Sequence, residues 1–135
     1  RTGRSALIMA MSRTTMLYIR KALDQCAECP GFHGAVLSTP DGLVLASSGK
    51  FDADESAACA SGLMVNTAAS LGQLAAQGPT EMLIWGADNT LWNVSLLAGD
   101  YILLVASAGT AGADRLRRTR ERAGEMLNQA LRILV

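Results

Sequence analysis

Twenty-five consecutive residues, Ser56 to Thr80, carry no formal charge. They lie inside a longer stretch, Phe51 to Asp114, with seven acidic side chains and no lysine or arginine. A bilayer is the first destination to exclude for so neutral a run. Asn66, Gln73, Gln77, three serines and two glycines before Gly78 make it too polar for hydrocarbon on every face. A helix remains, and at 100° per residue its faces separate. Ala60, Leu63, Met64, Thr67, Leu71 and Leu74 form the side expected to face a sheet. A neighbouring flank holds Ala58, Ser61, Val65, Ala68, Ala69, Gly72 and Ala76, all small and uncharged, the pattern of a close helix–helix seam. Gly62, Asn66, Ser70 and Gln73 form the remaining polar ridge. An ordinary surface helix of this length shows several charges, and this one shows none after Glu55.

The rest of the chain is equally sparing. Its 135 residues are room for one domain. Apolar residues make up 50%, too many for a disordered chain. Twelve basic residues offset twelve acidic ones, so no global field recruits nucleic acid or an anionic membrane. One histidine and three cysteines exclude a disulfide-dense scaffold and most metal hydrolases. Leu7–Ile8–Met9 is too short an apolar core for an export signal. Residues 1–11 read as an N-terminal extension and 12–135 as the single domain. Free cysteines without an export signal favour the cytoplasm.

Eight elements are expected. A first helix runs from about Ser12 to Glu28, with Met16, Ile19, Leu23 and Cys26 as its apolar stripe, and Pro30–Gly31 stops it. Strands at about Phe32–Ser38 and Leu43–Ser48 flank the turn Pro40–Asp41–Gly42. Asp52 caps the second helix, with Glu55 three residues on, and Gly78–Pro79 ends it. Three strands, Glu81–Gly86, Thr90–Leu97 and Tyr101–Ser107, precede a last helix from Ala113 to Leu134. The order α-β-β-α-β-β-β-α with short turns implies an α/β (α+β) sandwich on a five-stranded, mainly antiparallel sheet. One helix covers one face and the two terminal helices the other.

The stretch Cys29–Pro30–Gly31–Phe32–His33–Gly34–Ala35–Val36–Leu37, followed by Thr39–Pro40–Asp41–Gly42–Leu43–Val44–Leu45–Ala46, resembles the opening of the Roadblock / dynein light-chain family. The acidic cap, the small-residue helix, the three-strand meander and the final helix extend the resemblance from Ser12 to Val135. It is strongest to bacterial members of the mutual-gliding protein B (MglB) type. The resemblance implies a non-catalytic homodimeric scaffold that partners a small Ras-like GTPase. It also implies two sheets joined edge to edge through the third strand, with the second helices packed across the join. Met82, Leu83, Ile84 and Trp85 suit that role, being apolar on both faces of a strand placed at an edge. The expected dimer interface is therefore Ser61, Val65, Ala68, Gly72 and Met82–Trp85. Asn66, Ser70 and Gln73 are the expected partner-binding ridge.

No catalytic, cofactor or metal site is expected. Cys26, Cys29, His33 and Cys59 have nominal zinc spacing. Cys26 lies in the apolar stripe, however, and Cys59 on a helix across the sheet, so buried small hydrophobes are the better reading. Gly99, Gly109 and Gly112 form no phosphate cradle, because no lysine follows Phe51. The arginines from Arg115 to Arg122 interleave with Asp114, Glu121 and Glu125 and read as a solvated helix face. Three functions stay open: a GTPase-regulating scaffold, a structural adaptor in an assembly without a GTPase, and a small-molecule sensor. Short turns and few polar core positions argue against the sensor.

Overall fold

The computed structural model describes residues 12–132; the expectations for residues 1–11 and for Leu134 lie outside the described residues. Ser12 opens the first helix by accepting the Thr15 N–H at 3.0 Å, one of the donors that a helix start leaves unpaired. This helix, α1 (Arg13–Cys26), lays Ile19, Ala22, Leu23 and Cys26 into the core. The chain then forms the hairpin β1 (Phe32–Ser38) and β2 (Val44–Gly49). Its turn closes through Thr39, whose N–H donates to the Leu43 carbonyl at 2.9 Å and whose carbonyl accepts the Gly42 N–H at 3.0 Å. Gly42 is required twice over. Its φ is +91°, and a Cβ there would come within 3.3 Å of the Ala58 backbone.

Asp52 caps α2 (Ala53–Gln73) by accepting the Glu55 N–H at 2.9 Å, as its acidic start predicts. The meander β3 (Glu81–Trp85), β4 (Thr90–Leu96) and β5 (Ile102–Ala108) leads into α3 (Ala113–Leu131). The element order is the expected one. All pairings are antiparallel, in the order β2-β1-β5-β4-β3. The first and last strands, β1 and β5, pair at the centre, where Val36 faces Leu104 and Leu37 faces Leu103.

Two layers of unequal weight cover this sheet. On one face α1 and α3 enclose Leu23, Leu37, Leu91, Leu103, Leu116 and Leu127, all essentially inaccessible. On the other, α2 covers Val36, Val44, Val94, Ile102 and Leu104 with only Ala57, Ala60 and Met64 of its own buried. Thr67 and Leu71 are half-buried, as their face predicts. Leu63 and Leu74, assigned to the same face from periodicity, are 38% and 76% exposed. The sheet does not reach them.

The end of α2 also differs from expectation. It stops at Gln73, several residues before Gly78–Pro79, because Ala75 turns into the left-handed region at φ +58°. The Ala76 N–H then donates to the Leu71 carbonyl at 2.8 Å and the Ala75 N–H to the Gly72 carbonyl at 3.1 Å. This is a Schellman end with alanine where glycine is usual, so the glycine further along marks a loop.

Candidate protein-interaction surface

The strand order leaves β3 at one edge, with a row of backbone donors and acceptors facing outward. Because Leu83 lies opposite Asn93 and Ile84 opposite Trp92, its side chains divide between the two faces. Met82 and Ile84 point to the α2 side, where Met82 packs on the smaller core. Leu83 and Trp85 point to the other side and stay 45% and 58% exposed. The Trp85 indole N–H is held by the Asn89 carboxamide oxygen at 2.8 Å, which fixes an otherwise exposed ring.

Between α2 and the β4–β3 half of the sheet runs an open groove of about 500 Å³. Cys59, Leu63, Ile84, Trp92 and Leu104 line it, with Asp52 and Glu55 beside them. Beyond the groove α2 presents Val65, 62% exposed. Ala68 and Gly72, on the expected seam flank, are also exposed. Ser61 is different. It is half-buried, and its hydroxyl donates to the Pro40 carbonyl at 2.8 Å, tying this part of the flank to the β1–β2 turn. Asn66, Ser70 and Gln73 all lie on the exposed surface of α2. The fold thus places the helix residues and the strand residues on adjacent but separate elements.

A polar cluster that the sequence reading missed secures the exposed strand. Glu81, at the start of β3, accepts the Asn93 amide at 2.8 Å and the Arg120 guanidinium at 3.0 Å, and pairs with Arg117 at 3.3 Å. Partial burial works against its charge. The Asn93 amide and the two guanidinium groups outweigh it, holding the carboxyl below its ordinary value. Arg117 also pairs with Glu121 at 3.6 Å. The expectation of a solvated arginine face is therefore corrected for Arg120, which reaches across to the sheet and is largely buried, while Arg117 stays 61% exposed as it pairs with Glu81. Alternating arginines do not reveal in sequence which of them meets an acid 39 positions away.

The cysteines stand apart. Burial, with a smaller contribution from Cys29, pushes the Cys26 thiol up to about 12, and it donates to the Ala22 carbonyl at 3.7 Å. Such a thiol is a packing group. Cys29 is buried and Cys59 exposed on α2. Among the described residues no three His, Cys, Asp or Glu side chains are grouped to hold a metal ion. No helix among them is long and apolar enough to cross a membrane.

Comparison with known proteins accords with this architecture. No curated protein matches the chain by sequence. Myxococcus xanthus MglB superposes with a TM-score of 0.81 at 15% identity, covering 93% of this chain and 96% of that one. An MglB solved in a tetrameric arrangement gives 0.83 at 18% identity, over 93% and 96% of the two chains. A Roadblock/LC7 domain from Streptomyces avermitilis gives 0.69 at 25% identity, over 87% and 94%. At such identities the MglB likenesses establish the fold. The Roadblock/LC7 domain model matches residues 18–108, from α1 through β5, and the chain therefore belongs to the Roadblock/LC7 family.

Proposed function

We propose that this chain is a non-catalytic scaffold of the cytoplasm, a single Roadblock domain over residues 12–135 that forms a homodimer and binds and regulates a small Ras-like GTPase. The observation that carries this reading is the pairing of two unfinished surfaces on one side of the sheet. β3 has an open edge, and the groove beside it is walled by Leu63 and Ile84. A second copy joined through Met82–Trp85 completes the edge and brings a second α2 over the groove. Val65, Ala68 and Gly72 then contribute to the helix contact, together with Leu63 and Leu74, while Ser61 stays with its Pro40 partner. The groove's volume also suits a small molecule, but its apolar wall and its position at the β3 edge favour the second copy. The similarity to an MglB in a tetrameric arrangement supports self-association. Membership of the Roadblock/LC7 family supports a regulatory or adaptor role.

The GTPase docks on the ridge Asn66, Ser70 and Gln73, which two copies present side by side. These side chains are uncharged, so association depends weakly on salt. Stimulation of hydrolysis, where it occurs, works by ordering the partner's own catalytic groups. A lysate pull-down with GTP analogue or GDP identifies the partner, and titration of that partner tests the face. Asn66→Lys is expected to abolish binding and Arg118→Ala to leave it unchanged. Binding that survives Asn66→Lys and falls steeply with salt overturns the ridge.

A further inference from the structure

Five arginines, Arg115, Arg117, Arg118, Arg120 and Arg122, crowd the N-terminal half of α3. The first turn of a helix carries a partial positive charge and disfavours cations there. Arg115–Arg118 and Arg118–Arg122, three and four residues apart, are like-charged neighbours on one stripe. Arg117 and Arg120 are compensated by Glu81. The other three make no ion pair among the described residues. They instead line a polar pocket of about 360 Å³ between α3 and the end of α1. Gln25 and Thr119 add neutral donors, and Glu28 is the single acidic lining residue among those described.

We propose that this pocket binds a small anion carrying a diphosphate group. Three guanidinium forks match phosphate oxygens in pairs, and their charge exceeds that of Glu28 by two. A diphosphate offers two linked phosphoryl groups to the three forks, where sulfate offers a single tetrahedral group, so it accepts more charge-assisted hydrogen bonds at once. The volume lies within the small-molecule range. The site sits on the α1–α3 face, across the sheet from the proposed scaffold surface, so it stands whether or not that reading does.

Calorimetric titration of the full chain at fixed ionic strength tests it, with inorganic pyrophosphate and ADP as probes and sulfate as the reference anion. Pyrophosphate is expected to bind at least about tenfold more tightly than sulfate, the equivalent of one further charge-assisted hydrogen bond. Equal affinities for pyrophosphate and ADP assign the site to the inorganic ion; a tighter ADP complex assigns it to a nucleotide. Arg118→Gln and Arg122→Gln, both at exposed positions, are expected to lose about tenfold each with unchanged melting temperatures. Glu28→Gln tightens binding, and Arg117→Gln leaves it unaltered. Pyrophosphate that binds no better than sulfate overturns the proposal. So does an equal loss in Arg117→Gln, which indicates a diffuse field without a pocket.

Discussion

The two faces of the sheet are covered to very different degrees. Under α1 and α3, Ile19, Leu23, Leu37, Leu103, Leu116 and Leu127 are sealed, and the helices also pack on each other. Under α2 three side chains are buried in 21 residues, while Leu63, Val65 and Leu74 face water. The hydrophobic effect assigns stability in proportion to apolar area removed from water. One face therefore holds the domain together, and the other leaves apolar surface in water. The uncharged run Ser56–Thr80 belongs to this second face, neutral without being buried.

The contrast is broken most sharply by truncating one leucine on each face. Leu127→Ala is expected to destabilise by about 2–5 kcal/mol in denaturant titrations, through lost transfer energy and a residual cavity. Leu74→Ala on the exposed helix end is expected to change the stability of the isolated chain by no more than about 0.5 kcal/mol. Equal costs would contradict the division into a sealed face and an open one.

A smaller effect sits where α3 reaches the β3 edge. Arg120→Ala removes a charge-assisted hydrogen bond from Glu81 and is expected to cost about 1–3 kcal/mol. The pH dependence has a definite sign. Glu81 is held below its ordinary 4.5 in the folded chain, so its contribution is complete above that value. It is lost as the pH falls through the lowered folded value. Stability curves of the parent and Glu81→Gln proteins are therefore expected to converge as the solution is acidified below pH 4.5. Curves that stay parallel would remove Glu81 as the anchor of the strand.

Least in magnitude, Ala75→Gly is expected to stabilise by about 0.5–1 kcal/mol, because glycine occupies the left-handed position without a Cβ penalty. Thermal melts resolve a change of that size. A destabilised variant would show that the α2 terminus is held by something other than its Schellman bonds.

How far the sequence could be read follows the range of the forces involved. Features set by neighbours were legible: Pro40–Asp41–Gly42 as a turn and Asp52 as a cap. The helix faces were legible in direction, since Ala60 and Met64 are buried on the expected side. Their extent was not. Periodicity says which way Leu63 and Leu74 point, while the width of the sheet beneath decides whether they are covered. The burial of Arg120 was not legible for a similar reason, because Glu81 is its neighbour only through the tertiary fold. Ser61 was assigned to the seam by its small size, yet its hydroxyl had a carbonyl to find on the β1–β2 turn. The residues proposed for association, Met82–Trp85 with Asn66, Ser70 and Gln73, rest on exposure and position in the fold.

Light scattering on the purified chain at tens of micromolar tests the central claim most directly. Two unfinished surfaces that close on a second copy predict a mass of twice the 14.2 kDa chain. Ala68→Arg on the α2 flank is expected to return it to a single chain, and Asn66→Arg on the ridge to leave it paired. A single-chain mass for the unaltered protein at these concentrations would contradict the account.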